Sequence, residues 1–197
     1  MQEPLWIYGA GGMGKETLWL IEDSMYNNVI GFIDDYKTLN KLHDKPVINT
    51  IGNEVSCVIA IADSKTRKKI SLNESLNFVN VLHHKLSFHK SNIIGVGNII
   101  SKGVVISVDI KIGNHVIINS NSTIGHDTII EDYVSIMSGV HLSGNVHVGE
   151  GSFIGSGAVV LQNIKIGKWC TVGAGAVVTK DINDGKTCLG VPAKEKI

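Results

Sequence analysis

The sequence predicts a chain in two parts: an N-terminal α/β domain built as half of a doubly wound sheet, and a C-terminal all-β coil of short parallel strands. Two observations carry this. From residue 94 onward an aliphatic residue recurs every six positions without a break, a period that fits neither a helix nor an alternating strand. Before that point short apolar runs flank a helical pattern, and the first run ends in a glycine-rich loop.

The N-terminal elements follow in order. Leu5 to Tyr8 is a short apolar strand ending in Gly9-Ala10-Gly11-Gly12-Met13-Gly14. Leu18, Ile21 and Met25 then recur at helical spacing, and Val29 to Ile33 forms a second strand ending in Asp34-Asp35. A third strand covers Cys57 to Ala62, a charged stretch runs from Ser64 to Glu74, and another short strand covers Phe78 to Leu82. This is a βαβ(α)β, Rossmann-like unit. The glycine loop lies after a strand and opens a helix, where backbone amides can approach a diphosphate. That geometry suits a nucleotide sugar, suits NAD(P), and also occurs as a plain strand–turn–helix connection. Asp34 and Asp35 can accept bonds from a base N–H or ribose hydroxyls, or one can cap the following turn.

Residues 83–92 connect to the coil. Residues 94–183 hold 14 of the 22 glycines, no proline, and 30 Ile or Val in 90 positions. Fifteen aliphatics, from Ile94 through Ile100 and Ile106 to Val178, mark fifteen hexads. A second column four residues on, from Val104 through Ser122, Thr128 and Val140 to Ala176, is small or β-branched. Gly follows the aliphatic at 95, 113, 125, 149, 155, 167 and 173, which suggests a tight corner there. One face rebuilt every six residues implies a triangular coil of three strands, 18 residues per turn and five coils. At about 4.8 Å per layer the prism is about 24 Å tall. The expected domains are therefore 1–83, 84–183 and a tail at 184–197.

The chain balances 18 Lys and Arg against 18 Asp and Glu, which excludes a broad polyanion-binding surface. No run reaches the length of a membrane span, and no cationic start precedes an apolar segment, so a soluble cytoplasmic protein without nucleic-acid or membrane partners is expected. Cys57, Cys170 and Cys188 fit neither a disulfide framework nor a zinc site.

On the prism, His126 occupies the third place of its hexad, on the outer wall near a corner. Gly144 and Gln162 stack on it at 18-residue spacing, so Gly144 is expected to leave an open notch beside the imidazole. Asp127 can orient the ring. The segments from Gly155 to Val160 and from Gly173 to Val178 stack as a strip almost without side chains, suited to a long thin ligand or simply to coil packing. His115, His141 and His147 read as surface residues, and Cys170 as core.

With the hexads in place, the chain resembles the hexapeptide-repeat acyltransferases. More narrowly, it resembles the nucleotide-sugar N-acetyltransferases and sialic-acid O-acetyltransferases of bacterial glycan synthesis. The residues that carry this are Ile-Tyr-Gly-Ala-Gly-Gly-Met-Gly (7–14), Phe-Ile-Asp-Asp (32–35), Ile-Gly-His-Asp (124–127), Ser-Gly-Asn-Val (143–146) and Gly-Val-Pro-Ala-Lys (190–194). The resemblance implies a left-handed parallel β-helix, a homotrimer, acetyl-CoA as co-substrate, direct transfer and no metal. By position, His126 matches the general base and Asp127 the acidic neighbour that makes it a better base. Gly11, Gly12, Met13, Asp34, Asp35 and Ala62 match the sugar-nucleotide pocket. Ser156 and Ala174 match backbone contacts to acetyl-CoA.

Three positions depart from the pattern. Met13 stands where relatives often carry His, and Ser135 replaces a His that helps position the cofactor. Ala62-Asp63 stands for Gly-Asn at the sugar end. The expected activity is acetyl-CoA-dependent N-acetylation of a nucleotide-linked amino sugar, a UDP-linked 4-amino sugar first. O-acetylation of sialic acid or a related sugar is the enzymatic alternative, and a non-catalytic β-helix scaffold or binding module the alternative of another class.

Overall fold

The computed structural model describes residues 4–24, 28–36, 39–50, 52, 55–73 and 75–196. Met25 and Glu74 lie outside the described residues. The N-terminal part holds β1 (Leu5–Tyr8), α1 (Gly12–Asp23), β2 (Val29–Ile33), β3 (Lys41–Leu42), β4 (Lys45–Ile48), β5 (Val55–Ile59), α2 (Ser64–Ser71) and β6 (Leu76–Phe78). The sheet order is β3-β4-β2-β1-β5-β6, parallel except for β3 against β4. Ile7, Phe32 and Val58 fill its centre and are fully buried, with Leu18, Leu20 and Ile21 of α1 packed on them.

Gly14 is required where α1 crosses the end of β1, because a Cβ there would overlap the carbonyl oxygen of Gly9. The β3–β4 hairpin is not foreseen by the sequence. Its turn places His43 and Asp44 at φ 48° and 60°, a conformation for which His-Asp is a weak signal. The third predicted strand begins at Val55 and ends at Ile59, leaving Ala60 to Ala62 as loop. The strand expected over 78–82 splits: β6 pairs with β5, whereas β7 (Val81–Leu82) pairs with Ile99–Ile100 and already belongs to the coil.

The coil has three parallel walls. The first contains β7 and the strands at Ile99–Ile100, Ile117–Ile118, Ser135–Ile136, Phe153–Ile154, Thr171–Val172 and Thr187–Leu189. The second runs from Val105–Ile106 to Val177–Val178, and the third from Ile93–Ile94 to Lys165–Ile166. Residues 187–189, expected as tail, thus extend the first wall. Of the fifteen aliphatics all but Ile94 are buried, and so is every member of the second column. Each buried Ile, Val or Leu contributes about 1.5–3 kcal/mol, which makes this column the main source of the coil's stability.

The corners differ from expectation in their chemistry. The glycines directly after the aliphatic do not take a left-handed backbone. They are small because the next coil lies against them, as at Gly125, where a Cβ would stand 2.5 Å from the carbonyl carbon of Ser143. The left-handed residue comes two places later. Positions 97, 103, 109 and so on to 175 all have φ between 54° and 75°. Gly, Asn and Asp hold most of these corners, because they tolerate that conformation.

The N-terminal domain docks on the first wall, where it covers Ile99 and Ile117. α2 divides its surface by helical spacing: Ser64, Arg67, Lys68 and Ser71 all bond to prism residues or to groups at that boundary. The Arg67 guanidinium is 1% exposed and donates to the carbonyls of Ile61 (2.7 Å), Ala62 (2.8 Å), His115 (3.0 Å) and Tyr133 (2.6 Å) and to Ser135 Oγ (2.9 Å). Burial pushes it down to about 10, so it stays charged at neutral pH. His115 is correspondingly buried rather than on the surface. Its ring lies parallel to Tyr133 at 5.5 Å and edge-on to Phe78 at 4.7 Å, because the docked domain covers its corner. His141 is exposed as expected, and His147 is half-buried beside Glu131 at 2.7 Å.

Candidate active site

A cavity of about 680 Å³ opens at the carboxyl ends of β1, β2 and β5. In this sheet the chain leaves β1 toward β2 on one side and returns to β5 on the other, so the cavity sits at the switch point where doubly wound sheets bind ligands. Gly11, Gly12, Met13, Asp34, Asp35 and Ala62 all line it. The two aspartates are used differently. Asp34 accepts from the backbone N–H of Ala10 at 2.8 Å and of Tyr36 at 3.1 Å, so it fixes the glycine loop and the turn after β2. Asp35 is held by the Tyr8 hydroxyl, 2.9 Å from each carboxylate oxygen, and its remaining lone pairs stay open. Burial, then Asp35 itself, holds the Tyr8 hydroxyl well above the ordinary tyrosine range, so it remains a donor. α1 opens at Gly11 with no side-chain cap and no acid in its first turn.

His126 and Asp127 occupy the corner between the second and third walls. His126 Nδ1 lies 2.7 Å from Asp127 Oδ2. A carboxylate only accepts, so Nδ1 donates, and in the neutral ring Nε2 is the acceptor. Asp127 takes the left-handed corner conformation at φ 59°, and its backbone N–H bonds to Val108 O at 3.1 Å. The expected notch at Gly144 is filled by the ring itself: a Cβ there would stand 2.5 Å from His126 Cε1. Both side chains are about half exposed, at 52% and 58%.

Ser156 and Ala174 lie exposed at the corner between the first and second walls and stack in adjacent coils, with Gly175 N–H bonded to Ser156 O at 2.8 Å. Neither residue's own backbone N–H has a partner among the described residues. The strip therefore offers backbone donors along one edge. Ser135 is not part of it. Its side chain is fully buried under the docked domain, donating to Ala62 O at 2.9 Å and accepting from Arg67, so it faces the domain rather than an open wall.

The structure thus brings the six pocket residues together and pairs His126 with Asp127. It keeps cavity, dyad and strip apart within one chain: the domain sits on the first wall, the strip runs along one edge of the second wall, and the dyad lies at its other edge. Tyr8, Thr66, Lys69, Ile70 and Asn73 also line the cavity and were not singled out by the sequence. Tyr8 could have been found as the last residue of the first strand; the α2 residues are hidden in a charged stretch. Among the described residues no group of three or more His, Cys, Asp or Glu is placed to hold a metal ion, and no helix is long and apolar enough to cross a membrane.

Comparison with known proteins agrees with this layout. The PglD N-terminal domain family matches residues 4–73, and the bacterial transferase hexapeptide family matches 109–144, 127–162 and 145–180. The acetyltransferase domain of PglB from Neisseria gonorrhoeae, solved with acetyl coenzyme A, is 30% identical over all of both chains with a TM-score of 0.90. WeeI from Acinetobacter baumannii is 31% identical over 99% of this chain and 100% of its own, with a TM-score of 0.89. A mutant of perosamine N-acetyltransferase from Caulobacter crescentus, in complex with CoA and GDP-perosamine, is 27% identical over 100% of this chain and 98% of its own, with a TM-score of 0.91. No curated protein sequence matches. A glycine-loop domain docked on a coil of hexads, matched along its full length by such enzymes, has one reading: the chain belongs to the hexapeptide-repeat sugar acetyltransferases that carry a PglD-type N-terminal domain.

Proposed function

We propose that the protein transfers an acetyl group from acetyl-CoA to the amino group of a nucleotide-linked amino sugar, in cytoplasmic steps of bacterial surface-glycan synthesis. The observation that carries this is the orientation of the dyad: Asp127 accepts a hydrogen bond from His126 Nδ1–H and leaves Nε2 free to accept a proton. His126 then removes a proton from the acceptor amine as it attacks the thioester, and returns it to the departing thiolate. The nucleotide end lies in the cavity of Gly11, Gly12, Met13, Asp34, Asp35 and Ala62, and acetyl-CoA runs along the amides of Ser156 and Ala174. The bound GDP-perosamine of the Caulobacter enzyme and the bound acetyl coenzyme A of the Neisseria domain support both assignments. A UDP-linked 4-amino sugar is the acceptor to test first, with the GDP-linked sugar as its rival.

The separation of dyad and strip supports a homotrimer. They lie on the two edges of the second wall, so three prisms with that wall turned to a common axis bring the strip of one chain against the dyad of the next. That wall carries Val105, Thr123, His141, Val159 and Val177 and no formally charged residue at these outward places.

The test is thiol release from acetyl-CoA with UDP-, GDP-, dTDP- and CMP-linked amino sugars, together with sedimentation. The expected result is turnover with one of them by a particle of three chains, reduced about 10²–10⁴-fold in His126→Ala. Full turnover by His126→Ala would refute the base assignment, and release only with hydroxyl acceptors such as sialic acid would replace N-transfer by O-transfer.

A further inference from the structure

α2 presents two faces. Arg67, Lys68 and Ser71 point at the prism, while Thr66, Lys69 and Ile70, at the spacing i, i+3, i+4, line the acceptor cavity, joined by Asn73 just past the helix end. Lys69 stands out in that lining. The cavity already carries the two carboxylates of Asp34 and Asp35, and Lys69 is the one cation among its described lining residues. On the same helix Arg67 and Lys68 are engaged at the prism, Arg67 with Tyr133 O and Lys68 with Glu150. Lys69 makes no ion pair or hydrogen bond among the described residues and is exposed to the cavity mouth.

An acceptor with a diphosphate would bring further negative charge into this space. Asp34 is held in place by the amides of Ala10 and Tyr36, and Asp35 by Tyr8, so neither can turn away from the ligand without giving up those bonds. Repulsion must therefore be offset from another wall. The glycine loop supplies backbone donors on one side. Across the cavity, only α2 supplies a mobile charge on a stem long enough to follow the ligand.

We propose that Lys69 binds the diphosphate of the acceptor and so makes the cavity select nucleoside diphosphates over nucleosides. This rests on the nucleotide-sugar reading above. Lys69 is a binding residue on this account and takes no part in proton transfer at the amine.

The experiment titrates the full-length protein with UDP, GDP, dTDP and CDP and with the four parent nucleosides, in wild type, Lys69→Gln and Lys69→Arg. The wild type is expected to bind at least one diphosphate more tightly than its nucleoside. Lys69→Gln should weaken that diphosphate about tenfold, within what one charge at contact distance supplies near a surface. Its nucleoside affinity should not change, the salt dependence of diphosphate binding should become shallower, and Lys69→Arg should restore most of the loss. Equal diphosphate affinity in wild type and Lys69→Gln overturns the proposal and leaves the acceptor reading intact. An equal loss for nucleoside and diphosphate also overturns it, because the side chain would then act on the cavity's shape. A wild type that binds none of the four diphosphates removes the nucleotide-sugar reading and this proposal with it.

Discussion

Gly144→Ala places one methyl group where the His126 ring lies. The new Cβ would stand 2.5 Å from Cε1, against about 3.5–4.0 Å for carbon atoms in contact, so the ring must retreat by about 1 Å or more. The side chain is 52% exposed and free to swing outward, so the fold loses little; the geometry of the proposed base is what changes. A displacement of about 1 Å at a reacting group costs about 10²-fold in rate, and removal of a general base about 10²–10⁴-fold. Gly144→Ala is therefore expected to lower kcat about 100-fold in a thiol-release assay, with KM for acetyl-CoA nearly unchanged and a thermal midpoint close to wild type. In a His126→Ala background the same substitution should add nothing, because the ring it displaces is gone. A kcat within about threefold of wild type, or a full additional loss in the double variant, would refute the idea that Gly144 acts by seating the imidazole.

Two further expectations concern the docked domain. Arg67→Met removes a buried charge from five carbonyls and two hydroxyls while keeping the aliphatic stem, and should destabilise by about 3–5 kcal/mol in urea unfolding at fixed protein concentration; a loss below about 1 kcal/mol would show that the carbonyls find other donors. His115 is held down to about 4 from 6.5, first by burial and then by the Arg67 charge. The unfolded chain binds its proton first, so stability should fall as pH drops from about 6.5 toward about 4 and be fully present above that window. His115→Phe should flatten this slope, which pH-dependent urea midpoints will show.

The coil was legible because its pattern is its core: the side chains that recur every six residues are those that fill the interior, and no tertiary partner is needed to read them. The glycine loop was legible for a similar reason, since Gly14 is demanded by a local crossing with Gly9. What escaped notice depends on contact between distant segments. Arg67 lies in a stretch that reads as a solvated charged face, and only the carbonyls of Ile61, Tyr133 and their neighbours give it a role. Ser135 and His115 look like outer-wall residues until a domain covers them. The corner glycines mislead: those after each aliphatic answer a close approach between coils, and the backbone inversion falls two residues later. The separation of cavity, strip and dyad onto different edges of the prism cannot be read from spacing along the chain, because it depends on which wall the domain chooses.

That choice of wall is written into the corners. Most left-handed positions belong to Gly, Asn or Asp, but the column beneath α2 carries His115, Tyr133 and Trp169, at φ 54°, 61° and 55°. A backbone of this hand costs an ordinary residue about 1–2 kcal/mol, and within the coil the rings meet one another or a glycine, His115 on Tyr133 and Trp169 over Gly151. Lys68 lies over both Tyr133 and Trp169, and Phe78 meets His115, so each ring is matched by a group from the other half of the chain. The two halves are thus not interchangeable modules joined by a linker: the N-terminal half supplies the groups that cover these rings, and a graft of this coil onto a different domain would keep the left-handed rings and lose that cover.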